Sequence, residues 1–360
     1  MSTSISSPAE VDTDRLQAFI GQMVGDVGAT LSAGLVLLGD RLGLYRAMAD
    51  SRPVTAEELA ERTGTSVAYL RPWLGNQAAG GYLSYDPATG TWTLPPEQAM
   101  ALADESSPAF FAASMQLAVA TLADLDAIES RFRTGEGFGW HEHDPGLFIG
   151  TERFFRPGYV ANLVPAWLPA LDGVEAKLNR GGHVIDVGCG HGASTVLMAQ
   201  AFPSATFLGV DYHPESIAVA RQRAVAGGVA DRVRFDTAEA AELPDGAADL
   251  VTMFDCLHDM GDPVEAAARA LQLVGEDGTL MLVEPMAGDH VEDNLHPLGR
   301  VFYGASTLIC TPSSLDQPGR RALGAQAGPA LLTDVLHAAG FSRVRVAAST
   351  PVNLVIEARR

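Results

Sequence analysis

Two stretches of this chain carry residues whose types and spacing can do chemistry. The first is His183-Val-Ile-Asp-Val-Gly-Cys-Gly-His-Gly192, an apolar run ending in an acid and then three glycines at alternate positions. A strand, a tight glycine turn and a helix start are expected here, because glycine takes positive φ freely and lets a nucleotide-like ligand lie against bare backbone. The same residues also satisfy a relaxed dinucleotide-binding pattern, Gly188-x-Gly190-x-x-Ala193. The second stretch is Leu257-His258-Asp259-Met260-Gly261-Asp262. An imidazole titrating near neutrality can take a proton from a phenol-like hydroxyl. It can equally cap the following helix or line a pocket. A third cluster, His141-Glu142-His143-Asp144, holds metal-ligating types, but i and i+2 spacing converges on one ion only in an extended segment. A loop bordering the active site is the other reading, and no metal site is expected.

The elements that must position these residues follow from periodicity. From His183 onward, short β-rich runs (184–187, 206–210, 233–235, 250–254, 279–283) alternate with helical segments (192–201, 214–226, 263–273). That alternation predicts an open parallel sheet, with ligands beyond the carboxyl ends of the strands. A last helix over 331–339 and two strands over 343–348 and 352–358 predict a closing antiparallel pair, seven strands in all. Asp211 ends the second strand, where a carboxylate can accept both ribose hydroxyls of an adenosine. Tyr212, beside it, can pack on adenine.

The order Asp186-x-Gly188-x-Gly190-x-Gly192, with Asp211 and the terminal hairpin, resembles class I S-adenosylmethionine (SAM) dependent methyltransferases. The resemblance covers 183–360. It implies that Asp186 steers the SAM ammonium, and that Phe254 and Asp255 face the methionine moiety. Glu239-Ala240-Ala-Glu-Leu-Pro244 resembles the family's third motif, Asp-Ala-x-x-Leu-Pro, with the longer Glu239 in place of the acid at the adenine amino group and Asp236 as the competing residue. Leu257-His-Asp-Met-Gly-Asp262 resembles the Leu-His-Asp-Trp-x-Asp segment of plant-type and antibiotic O-methyltransferases, with Met260 in place of the Trp. That implies His258 as base and Glu284 as the acid orienting it. Insertions before the last helix build the acceptor pocket in this family. Phe302 and Tyr303 there, and Phe155 and Tyr159 opposite, are expected either on the substrate or in the core.

The N-terminal half reads as helical over 12–50, with a stripe from Leu31 to Tyr45. A capped helix follows over 55–64, then a helix over 66–79 and strands over 82–85 and 91–94. Helix, helix and β wing resemble the winged-helix extension of small-molecule methyltransferases. The helix over 66–79 carries one basic residue, Arg71, and the chain's net charge is −20, a poor match for DNA phosphates. Helices are expected over 107–132 and 154–178. The expected organisation is a disordered tail (1–12), a winged-helix dimerisation domain (13–105), a helical connector and substrate lid (106–180) and a SAM-binding catalytic domain (181–360).

With 47% hydrophobic residues the chain can bury a large core, and its three scattered cysteines fit a reducing cytoplasm. The apolar stretch around 31–38, interrupted by Gly34, Gly39 and Asp40, reads as too short to span a membrane. The expected protein is thus a cytoplasmic homodimer methylating a small natural-product acceptor, first at a hydroxyl, next at carbon or nitrogen. A DNA-binding regulator on the same fold and a nicotinamide oxidoreductase are the competing classes.

Overall fold

The computed structural model describes residues 11–238, 242–243, 245–246 and 248–360. It divides into two compact units, one through Gln116 and one from Leu117 to Arg360. The tail expected over 1–12 falls, through residue 10, outside the described residues.

In the first unit, α1 (Thr13–Arg41) is a 29-residue helix capped by the Asp12 carboxylate. It runs unbroken through Gly34, Gly39 and Asp40, as the helical reading of 12–50 expects; by length and composition alone α1 could cross a membrane, contrary to the reading of 31–38 as too short. Gly43, in the left-handed region at φ 71°, separates it from α2 (Leu44–Ala47). Helix α3 (Ala56–Thr63) opens on a reciprocal Thr55/Glu58 capping box and stops at Gly64. Helix α4 (Val67–Ala79) follows, then the wing, β1 (Ser84–Asp86) antiparallel to β2 (Thr91–Thr93). Tyr45 anchors this core, donating to Gln77 Oε1 at 2.6 Å and packing on Trp73 at 5.3 Å. Of the expected Leu31–Tyr45 stripe only its end is core: Tyr45 is buried, while Leu31, Leu38 and Leu42 are exposed. Helices α5 (Pro96–Leu102) and α6 (Ala112–Ala123) complete the N-terminal elements.

The helix expected over 107–132 is two helices, α6 and α7 (Leu125–Thr134). The break is at Asp124, whose carboxylate takes His143 Nδ1 and the Asp144 amide instead of serving the helix. The helix expected over 154–178 starts earlier, as α8 (Pro145–Asn162). It then loosens into a π turn, Leu163–Trp167, before the short α9 (Val174–Asn179).

The sheet has seven strands in the order β5-β4-β3-β6-β7-β9-β8. These are β3 (His183–Val187), β4 (Thr206–Asp211), β5 (Val233–Thr237), β6 (Ala248–Phe254), β7 (Val274–Pro285), β8 (Arg343–Ser349) and β9 (Asn353–Arg359). The first five are parallel, and β9 pairs antiparallel with both β7 and β8. Between them run α10 (Ala193–Ala201), α11 (Pro214–Ala226), α12 (Pro263–Leu273), α13 (Pro297–Ala305), α14 (Thr311–Asp316) and α15 (Pro329–Ala338). Alternate residues of the central strands feed two separate cores: Met281 and Val283 join one, Leu280 and Leu282 the other. Burial on both faces is why these strands read as continuous apolar runs.

Candidate active site

The carboxyl ends of β3, β4, β6 and β7 gather the acids, glycines and histidine singled out above. The glycine turn after β3 has all three residues at positive φ: Gly188 70°, Gly190 51° and Gly192 72°. Their surroundings differ. A Cβ on Gly192 would stand 2.6 Å from the Phe235 ring and 2.9 Å from Ala220, so Gly192 is needed for packing. A Cβ on Gly190 would meet nothing within 4 Å. Gly190 therefore exposes bare backbone to an open cradle. Its amide donates to Asp211 Oδ2 at 2.9 Å, and the His213 amide donates to Asp211 Oδ1 at 2.9 Å. Each oxygen keeps acceptor capacity for a diol. Burial raises the Asp211 pKa.

Asp186 is fully buried. Ser194 and Thr195 hydroxyls donate to its Oδ2 at 2.8 and 2.5 Å, and Thr252 donates to Oδ1 at 2.8 Å. Its carboxylate thus ties β3, β6 and the start of α10 together, and it reaches any ligand only indirectly.

Asp255, just past β6, adopts φ 50° without being glycine, a strained position of the kind concentrated at functional sites. Its carboxylate accepts from the Tyr159 hydroxyl at 3.0 Å and from Asn353 Nδ2 at 3.3 Å. Burial, then repulsion from Glu284, pushes its pKa up to about 8. Phe254 packs against Tyr159 at 5.2 Å, and Phe155 stacks on the same tyrosine at 6.0 Å.

His258 is buried. Its Nδ1 meets Glu284 Oε2, while Glu284 Oε1 accepts from the Leu257 amide at 3.0 Å. A carboxylate on Nδ1 fixes that nitrogen as the donor and leaves Nε2 as the working atom. Nε2 lies 3.2 Å from Asp259 Oδ1. Burial opposes a charged ring, but the carboxylates of Asp259 and Glu284 outweigh it and raise the His258 pKa well above the ordinary value. The helix-capping alternative for His258 is removed, because α12 is capped by Asp262, which accepts from Val264 and Glu265 amides.

The donor set fits a cationic nucleoside better than a pyrophosphate. Around the cradle stand Asp211, Asp255 and Glu284. Arg223, which reaches the glycine turn at the His191 carbonyl at 3.0 Å, is also engaged by Glu152 at 2.9 Å.

Comparison with known proteins agrees with this geometry. Residues 178–319 match the family model described as a methyltransferase domain, and residues 30–104 match an Rv2258c-like winged HTH domain. The chain is a winged-helix protein with a methyltransferase domain. Over 146 residues it is 33% identical to 27-O-demethylrifamycin SV methyltransferase of Amycolatopsis mediterranei, 40% of this chain and 46% of that protein. The chain spans about half or less of the length of the first curated relatives it matches. Two solved structures superimpose over nearly the whole chain. An O-methyltransferase family protein from Burkholderia thailandensis has a TM-score of 0.69 at 18% identity, covering 98% of this chain and 99% of that one. Human N-acetylserotonin methyltransferase, solved with SAM, has a TM-score of 0.69 at 17% identity, with the same coverage. These two likenesses establish the fold.

Within the methyltransferase domain, some expected residues are placed elsewhere. Glu239 and Ala240 lie outside the described residues. The competing Asp236 pairs with Arg234 at 2.7 Å. Phe302 is buried in a cluster with Leu147, Ile309 and Cys310, which favours its core reading, and Tyr303 is half-buried. The four residues of the 141–144 cluster separate. His143 pairs with Asp124, Asp144 caps α8 through Gly146, Glu142 takes the Gly139 amide, and His141 stands edge-on to Tyr212 at 6.1 Å. They form no common ligand set, and His141 borders the site instead.

Sequence reasoning missed two residues here, Asn353 and Cys310, and named Tyr159 without the partner it holds. Tyr159 and Asn353 were not expected to hold Asp255, and Cys310, set by a π turn over Ser306–Cys310, was not expected beside His258 and Asp259. A buried acid just past a strand was a signal that partners must exist. Their identity was not encoded nearby.

Proposed function

We propose that this protein is a SAM-dependent methyltransferase that methylates a hydroxyl of a small natural-product acceptor. The observation that carries the reading is the buried His258–Glu284 pair beside an open glycine cradle closed by Asp211. When bound, SAM supplies a methyl group already activated on a sulfonium. Gly190 backbone and the Asp211 carboxylate would hold its ribose, with Tyr212 along the adenine. Asp255, held by Tyr159 and Asn353, would lie toward the methionine end. Glu284 holds the Nδ1 proton, so Nε2 is the atom that accepts the proton of an acceptor hydroxyl entering beside Asp259. Proximity supplies much of the remaining rate. Phe155, Tyr159 and Tyr303 are the aromatic residues proposed to border the acceptor, within a lid drawn from the helical connector.

The same reading takes the winged-helix unit as a dimerisation module of a cytoplasmic homodimer. Leu16, Phe19, Ile20, Met23, Val24, Val27 and Leu31 fall on α1 at helical spacing and are 45–67% exposed. A second copy is the proposed cover. Arg71, the one basic residue of α4, already pairs with Glu57 at 2.6 Å, which supports a role other than DNA binding.

Calorimetric titration with S-adenosylhomocysteine, with NADH as control, tests the reading. Micromolar binding is expected, with no binding of NADH. A folded protein that binds neither, or binds only NADH, refutes it. Turnover of SAM on phenolic against amine acceptors then separates O- from N-methylation.

A further inference from the structure

A ring nitrogen of His258, an Asp259 carboxylate oxygen and Cys310 Sγ all lie within 4.8 Å of one another. A tetrahedral zinc with bonds of about 2.0–2.3 Å spaces its ligand atoms about 3.3–3.8 Å apart, so small side-chain adjustments close this set. Nε2 and Asp259 Oδ1, at 3.2 Å, are already at that spacing. Three further features match what a metal site requires. Glu284 occupies the other ring nitrogen, the carboxylate–histidine arrangement that orients metal-bound imidazoles. Asp259 Oδ1 is shielded from solvent and makes no hydrogen bond of good geometry among the described residues, although His258 Nε2 stands 3.2 Å away. Cys310 is placed by a π turn, an irregularity that recurs at functional sites. The carboxylates of Glu284 and Asp259 also stand on opposite ring nitrogens of one imidazole. The chemistry of the set, one nitrogen, one oxygen and one sulfur, selects a borderline-soft divalent cation over Mg²⁺ or Ca²⁺.

We infer that His258, Asp259 and Cys310 form a binding site for a thiophilic divalent cation of the Zn²⁺ class, and that its occupation switches methyl transfer off. The ion takes the Nε2 lone pair, an Asp259 oxygen and the Cys310 sulfur, with water as fourth ligand. The Cys310 thiol proton and any proton on Nε2 leave to solvent. Asp259, its side chain 23% exposed, provides the way in. The switching half of the inference rests on His258 being the base; the binding half does not.

The test is titration of the purified full-length chain with Co²⁺ alone, followed by absorption spectroscopy. A near-ultraviolet thiolate-to-cobalt band is expected at one equivalent, displaced by Zn²⁺ and absent in Cys310→Ser. Asp259→Asn is expected to weaken Co²⁺ binding by about tenfold or more. Circular dichroism and S-adenosylhomocysteine affinity establish that each variant is folded, and Asp259→Asn decides the matter if Cys310→Ser is not. No band in the wild type, a band retained in Cys310→Ser, or undiminished binding by Asp259→Asn overturns the site. Zn²⁺ at saturation is expected to abolish turnover without changing S-adenosylhomocysteine affinity. A cobalt band accompanied by full turnover in Zn²⁺ overturns the switch while leaving the site. Loss of S-adenosylhomocysteine binding in the metal-free protein speaks instead against the proposed function.

Discussion

Replacing Glu284 by Gln is a change of one atom that tests the role of His258. The carboxylate serves two donors, the Leu257 amide through Oε1 and His258 through Oε2. Gln keeps one acceptor and turns the other into a donor. If its oxygen stays on His258, its NH₂ confronts the buried Leu257 amide, an unsatisfied pairing costing about 1–3 kcal/mol. If its oxygen serves Leu257, the NH₂ faces Nδ1, which must then accept. The ring answers by moving its proton to Nε2, where Asp259 Oδ1 stands 3.2 Å away to receive it. The second arrangement satisfies every partner and is the expected one. It also removes the lone pair from the atom that must take the acceptor's proton. A positioned general base contributes about 10²–10⁴ in rate, or about 3–5 kcal/mol of barrier at 1.36 kcal/mol per tenfold. Glu284→Gln should therefore lose about 10²–10⁴-fold in kcat, with fold and S-adenosylhomocysteine affinity unchanged. Turnover of SAM on an accepted hydroxyl, alongside calorimetry and thermal melting, reads all three. A variant within threefold of wild-type kcat would refute the tautomer argument and the base with it.

Four other outcomes are expected. The base works deprotonated, and the Asp259 and Glu284 charges raise the His258 pKa; kcat/KM should rise with pH on the alkaline side of ordinary histidine, and Asp259→Asn should move that limb to lower pH. Asp211→Ala removes a charge-assisted partner of about 1.5–3 kcal/mol and should weaken S-adenosylhomocysteine about 10- to 100-fold by calorimetry. Gly190→Ala enters open space and should weaken cofactor binding at the cost of its positive-φ strain alone, whereas Gly192→Ala adds a collision with Phe235 to the same strain and should lose more melting temperature. Ile20→Asp, in the centre of the exposed α1 stripe, should shift a dimer to monomer by light scattering; a wild-type monomer, or binding of the wild type to anionic liposomes, would remove the dimer proposal.

Most of the fold was legible because its signals are local. Strand and helix bounds in the methyltransferase domain follow from runs buried on both faces of a parallel sheet and from caps such as Asp262, as Gly64 does in the winged-helix unit. Where the reading failed, a local signal was overridden from a distance. The helix expected over 107–132 divides at Asp124, whose carboxylate pairs with His143, 19 residues on, instead of capping α7. The apolar stretch around 31–38 reads as short because Gly34, Gly39 and Asp40 interrupt it, although helix is expected through them. Gly39 instead lets Tyr45 and Trp73 approach, since a Cβ there would stand 2.7 Å from each ring, and the helix continues past it.

The candidate site divides on the same line. Asp186, Gly190, Asp211, Asp255 and His258 could be named because each ends a strand or enters the turn after it, and strand ends are readable. Their partners could not. Tyr159 reaches Asp255 across 96 residues and Asn353 across 98. Cys310 reaches His258 only because a π turn carries one more residue per turn than an α-helix would, which rotates the following side chains. An ordinary helix over the same residues would give Cys310 a different direction and leave His258 and Asp259 without a thiol. Whether Nε2 meets only a substrate proton or also a metal thus depends on the register of one turn, which no spacing in the chain announces.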